Sequence, residues 1–231
     1  MNPESPHTMS DDPSPSLEDA ASQALSASVE AVAPRKRPKP GERRSQILQA
    51  LASMLEQPVG ERITTAALAA RLEVSEAALY RHFASKAQMF EGLIEFIEQS
   101  VFTLINQIVE REQGPSADLG KRQSAKIITL LMQFAEKNPG MSRVMVGDAL
   151  VFENERLQSR MNQFFDKIEA TLRQCLRTGL VPASTTPTVD AQVFAAVLTA
   201  FATGRLQRYV RSGFKRLPSE HLDACLATML G

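Results

Sequence analysis

Between Ile63 and Phe83 the apolar side chains fall at Leu68, Leu72, Val74, Leu79 and Phe83. That spacing locks two short helices across each other at a steep angle, and it leaves little freedom for any other fold of the segment. Ala69 is small where the two helices must approach. Ser75 is suited to cap the second helix, which leaves that helix's first turn free to enter a DNA major groove. Ala77 and Ala78 keep the same face flat. Tyr80, His82 and Lys86 then fall where a flanking phosphate is within reach.

Charge supports a nucleic-acid reading once it is divided along the chain. The whole sequence has no net charge, with 26 basic and 26 acidic side chains. Residues 1–34 hold six acidic groups and no Lys or Arg, whereas residues 35–86, which include Arg43 and Arg44, hold ten basic against five acidic. A basic excess confined to one segment is the electrostatic footprint of a DNA-reading module on a neutral body.

Three segments are expected. Residues 1–40 contain seven of the 13 prolines and no aromatic residue. This composition predicts an acidic, disordered tail ending in a basic arm, Arg35 to Pro40. The arm either stays a solvated run or reaches phosphates and a minor groove. Residues 41–86 are read as a three-helix DNA-binding domain, and 87–231 as a helical bundle. The first helix carries Ile47, Leu48, Leu51 and Leu55 and stops at Pro58 and Gly60. Short helices follow at 65–72 and 76–83. Ser85 and Gln88 form a capping box for a long helix to about Glu112.

Beyond the Gly114-Pro115-Ser116 break, a helix over about 119–137 is apolar on most sides and therefore central. Asn138-Pro139-Gly140 reads as a turn, followed by a short segment to Phe152. An amphipathic helix runs from Leu157 to Gly179, and Pro182 to Pro187 reads as a loop. Helices over about 189–211 and 219–230 complete an all-α chain. Glu153 and Glu155 are read as a solvated helix start, with Asp148 helping to cap it. On the helix over 189–211, Ala195, Ala196, Ala200 and Gly204 offer a close-packing side, used either within the chain or between two copies.

No run reaches the roughly 18 apolar residues of a membrane span, and no secretory h-region opens the chain. The two cysteines, Cys175 and Cys225, are read as reduced core residues, and the compartment as cytoplasmic. His7, His82 and His221 are scattered, without metal-ligand spacing, a nucleophile elbow or a phosphate-cradling glycine loop. The expectation is a non-enzyme without cofactor or metal.

The stretch Leu79-Tyr80-Arg81-His82-Phe83, followed by Ser85-Lys86, resembles the helix-turn-helix of the TetR family. That resemblance implies an N-terminal helix-turn-helix domain and a C-terminal bundle for dimerisation and partner binding. Thr64 or Thr65 is then expected at the DNA backbone, and Ser75, Glu76, Ala77, Tyr80 and Arg81 on the recognition helix. Glu73 stands where many relatives have Gly, which costs roughly 1–2 kcal/mol if the site is left-handed.

From Gly41 to about Pro218 the chain is similar to the nucleoid occlusion branch of that family. The likeness is carried by Leu93 to Glu98, Lys137 to Gly140, Phe152-Glu153, Arg156 to Gln158, and Val210 to Ser212 with Phe214-Lys215. It implies a homodimer through the last two helices, a palindromic DNA site, and the C-terminal tail of the division protein FtsZ as partner. Phe96, Leu104, Leu130, Gln133, Lys137 and Asn138 match the branch's positions for that tail, although Leu104 and Gln133 stand where relatives can have Arg and Gly. The residues themselves place Phe96 about 120° from the centre of its helix's core stripe, with Met89 on the same side. That position suits either packing on another helix or an aromatic anchor for a peptide. The competing reading is a ligand-responsive TetR-type repressor with an inducer pocket.

Overall fold

The computed structural model describes residues 41–57, 63–114, 116–179 and 187–231. The acidic tail with its basic arm, the stop at Pro58 and Gly60, and the expected loop over 182–187 lie outside the described residues, except that Pro187 opens a helix instead of ending that loop. Within them the fold is helical: α1 (Glu42–Leu55), α2 (Thr65–Arg71), α3 (Glu76–Tyr80), α4 (Lys86–Arg111), α5 (Ser116–Lys137), α6 (Pro139–Met145), α7 (Glu155–Gly179), α8 (Pro187–Arg211) and α9 (Leu222–Leu230). None of these helices is long and apolar enough to cross a membrane.

Local chemistry sets the first boundaries. Thr64 and Ser75 each accept a hydrogen bond from the backbone N–H three residues on, at Ala67 and Ala78, so α2 and α3 both start on a side-chain cap. The Ser85 hydroxyl accepts from Gln88 N, and Gln88 returns its amide oxygen to Ala84 N at 2.9 Å. The expected box therefore forms one residue offset on its return leg. Between α2 and α3, Glu73 adopts φ +53°, so the left-handed condition attached to this position is met. Glu73→Gly is expected to raise unfolding stability by about 1 kcal/mol, read from the urea midpoint at constant slope.

Several sequence expectations need correction. Asn138-Pro139-Gly140 does not end in a loose segment: Pro139 opens α6, where its fixed φ and missing N–H are no handicap. A single 3-10 turn follows at Asp148–Leu150. The recognition helix closes at Tyr80, short of Phe83, and α9 begins at Leu222 after a turn held by Leu222 N donating to Ser219 O at 3.0 Å. Asp148 does not cap α7 but accepts from Arg143 Nε at 2.6 Å, and Asn154 serves the first turn by accepting from Arg156 N.

The core runs unbroken through both halves. Leu68, Leu79 and Phe83 of the N-terminal unit join Ile94, Ile97, Val101, Ile127, Leu131, Phe164, Ile168, Leu198 and Leu206 in one buried cluster. Alpha5 is the central element as expected, with Ile127, Ile128, Leu131 and Met132 fully buried. Phe164 meets Phe102 edge-on at 5.8 Å, fastening α7 to α4. Gly120 lets α5 touch α7, since a Cβ there would sit 2.2 Å from Cys175 O. Burial pushes the Cys175 thiol up, so it stays protonated, and both cysteines are free.

Candidate nucleic-acid interface and partner groove

The N-terminal unit is held as one rigid reading head. Leu68, Ala69, Leu79 and Phe83 fill its interior, with Leu72 and Val74 half-buried against them. Arg44 lies over the Phe83 ring at 4.2 Å and donates to His82 O, so this expected DNA contact also closes the turn after α3. Arg43 donates to Gln46 on its own helix.

On the outer side, Thr64, Ser75, Glu76, Ala77, Tyr80, Arg81 and His82 are all exposed. Thr65 ties this face together: its hydroxyl donates to Glu76 Oε2 at 2.6 Å, and Tyr80 Oη reaches it at 3.5 Å. The starts of α2 and α3 are thereby joined through the Glu76 carboxylate, which accepts from a neighbour's O–H. Nothing in the spacing of 65 and 76 announces this bond. The flat Ala66, Ala67 and Ala77 surface between these groups lets the backbone approach a groove closely.

Lys86 already has a partner within the protein. Its ammonium is paired with Glu153, a carboxylate whose side chain is only 10% exposed. Glu153 is therefore no solvated helix start but an anchor for the first turn of α4, across 67 residues of chain. The same seam continues as Arg156 to Glu91 at 3.2 Å and Arg160 to Glu98 at 3.0 Å. Arg143 adds bonds to the carbonyls of Leu55 and Gln57 at the end of α1. The reading head is thus fastened to the bundle along α4, α6 and α7.

A second feature lies further along α4. Phe96 is 40% exposed, while Leu93, Ile94 and Ile97 around it are fully buried. Met89, expected beside it, is itself fully buried. Two turns separate the two residues, and the reading head packs over the earlier one. Gly92, in between, has Phe83 and Leu48 atoms within 3.1–3.3 Å of where a Cβ would sit.

Alpha4 and α5 form an antiparallel hairpin whose register is marked by Gln123 Nε2 donating to Val109 O at 3.2 Å. Equal rise on both helices brings Phe96 level with about residue 136. Gln133 and Lys137 are exposed on that stretch of α5, and Leu130 is half-buried. Leu104 is half-buried two turns from Phe96. Asn138 spends its side-chain amide on Phe134 O at 2.8 Å, so it shapes the end of α5.

The last long helix shows a third face. Val193, Val197, Ala200, Gly204, Gln207 and Arg211 recur at alternating steps of four and three, the spacing of a helix-pairing seam. Val193 is 56% and Val197 47% exposed, with Phe194 beside them at 38%. Ala195 is fully buried within the chain, so it leaves the small-residue row, which retains Ala196, Ala200 and Gly204.

Residues 47–93 match the family of bacterial regulatory proteins of the tetR kind, and residues 122–229 match the tetracyclin repressor-like C-terminal domain of the SlmA-like type. The nucleoid occlusion factor SlmA of Idiomarina loihiensis is 51% identical over 182 residues, covering 79% of this chain and 90% of that protein. The same factor from Photobacterium profundum is 53% identical over 182 residues, covering 78% and 90%. This chain belongs to the SlmA family of TetR-type DNA-binding proteins. Among solved structures, the FadR regulator of Bacillus subtilis in complex with stearoyl-CoA superposes with a TM-score of 0.61 at 13% identity, over 81% of this chain and 97% of that one. A TetR/AcrR-family regulator from Thermobifida fusca does so at 0.59 and 16%, over 83% and 98%. Those likenesses fix the TetR fold. SlmA-family membership accounts for the reading head, and Phe96 and the α8 seam are exposed apolar features outside it.

Proposed function

We propose that this SlmA-family chain acts as a homodimer on palindromic chromosomal DNA and restrains division-ring assembly over the nucleoid by holding the C-terminal tail of FtsZ. Thr64, Thr65, Ser75, Glu76, Ala77, Tyr80, Arg81 and His82 form the DNA face, with Arg43 and Arg44 behind it. Lys86 is assigned to the joint with the bundle instead. The α8 seam, with α9, forms the dimer contact. Most of the affinity for DNA comes from phosphate neutralisation and falls steeply with salt.

The observation that carries the partner reading is Phe96, an aromatic ring left 40% open while the apolar residues Leu93, Ile94 and Ile97 of the same helix are fully buried. It stands level with Lys137, and such an aromatic anchor beside a cation suits an extended peptide with apolar and acidic groups. Phe96, Leu130, Gln133 and Lys137 line this edge, Leu104 extends it, and Asn138 holds its end. The inducer-pocket alternative is disfavoured because the bundle interior is occupied: Ile127, Leu131, Phe164, Ile168, Leu198 and Leu206 are all fully buried against one another.

Pelleting of GTP-assembled FtsZ tests the proposal. The protein with a palindromic duplex is expected to reduce the pelleted fraction, and Phe96→Glu to restore it while duplex binding persists. Equal inhibition by the Phe96→Glu protein would remove the groove from the mechanism.

A further inference from the structure

The two most exposed large apolar side chains among the described residues are neighbours: Val151 at 68% and Phe152 at 76%. Their exposure is held in place from both sides. Leu150, just before them, is 3% exposed and donates its N–H to Gly147 O at 3.0 Å. Glu153, just after them, donates its N–H to Leu150 O at 3.0 Å and pairs with Lys86. A fixed aromatic projecting into water is costly unless something covers it.

The corner adjoins α8. Val146, Asp148 and Val151 share a surface concavity of about 310 Å³ with Gln207, Val210 and Arg211. Gln207 and Arg211 are the last two positions of the seam that begins at Val193 and Val197. Where that seam turns polar, Val151 and Phe152 restore the apolar surface from the adjacent corner. The corner thus borders the polar end of that seam.

We infer that a second copy of this chain seated on α8 also covers Val151 and Phe152, making the corner between α6 and α7 part of the dimer contact. The inference rests on the reading of α8 as the dimer face. In a two-fold dimer each copy presents the same corner to the other. Phe152 then lies one residue from the Glu153–Lys86 pair that fixes the start of α4, so the contact helps set the separation of the two reading heads.

Sedimentation of the full chain over a dilution series tests this, with the wild type beside Phe152→Glu and Val197→Glu and helicity checked by circular dichroism. Phe152→Glu is expected to raise the dimer dissociation constant at least tenfold, and to lower affinity for a palindrome more than for a half-site. A constant within twofold of wild type for Phe152→Glu overturns the inference, and it is also the result if Phe152 serves a foreign protein. If Phe152→Glu dissociates the dimer and Val197→Glu does not, the copies meet at the corner without α8, and both the α8 reading and the inferred joint contact fall. If neither does, both fall.

Discussion

Gly140→Ala is expected to destabilise the protein by about 3 kcal/mol, near the upper end for overpacking a core. A Cβ at this position would lie 2.0 Å from Ala52 O and 3.0 Å from Ala52 C, both backbone atoms of α1. No rotamer relieves such a clash, so α6 or α1 must shift. Alpha1 is the first helix of the reading head, and Arg143 of α6 bonds the carbonyls at its end. The cost is therefore expected as a lower urea midpoint together with weaker duplex binding by the folded fraction. A midpoint within 0.5 kcal/mol of wild type, by the usual denaturant slope, would show that α6 does not clamp α1 this closely.

The second large effect belongs to the recognition helix. Ala77→Glu is expected to lower affinity for the palindrome about 100-fold at fixed salt, with the melting temperature nearly unchanged. Ala77 is exposed in the first turn of α3, where a short side chain admits the backbone to the groove. A carboxylate there adds bulk and faces the phosphate field. Ala77→Ser, which adds one small polar group, is expected to stay within a few-fold of wild type. Anisotropy of a labelled duplex separates the outcomes, and a loss below threefold for Ala77→Glu would mean that α3 does not read the groove.

Much of the reading head was legible because its determinants are local. Caps at Ser75 and Ser85 and the buried positions Leu68, Leu79 and Phe83 follow from neighbours within a few residues, whereas the left-handed Glu73 was only a condition raised by the family resemblance. The joints between head and bundle were not legible, because they join positions far apart in sequence. Lys86 meets Glu153 across 67 residues, and Arg143 meets the Leu55 carbonyl across 88. Periodicity on one helix says nothing about such partners, so Lys86 read as a phosphate ligand and Glu153 as a solvated charge.

Met89 fails for a related reason. A helical wheel gives one apolar stripe per helix, but α4 is covered on a second side where the reading head packs, and Met89 falls under that cover. Phe96, two turns further on, does not. Alpha6 was overlooked because a helix of seven residues opening on Asn-Pro-Gly carries the composition of a turn. Tertiary contact with α1 makes it a helix.

The partner groove is tested most directly by anisotropy of a labelled FtsZ C-terminal tail peptide titrated with this protein and with its Phe96→Ala and Lys137→Ala variants, each confirmed as folded. Saturable binding by the wild type, weakened about tenfold or more by Phe96→Ala and less by Lys137→Ala, is the expected result. No saturable binding by the wild type, with or without a palindromic duplex, would contradict the FtsZ reading and leave Phe96 without the partner assigned to it.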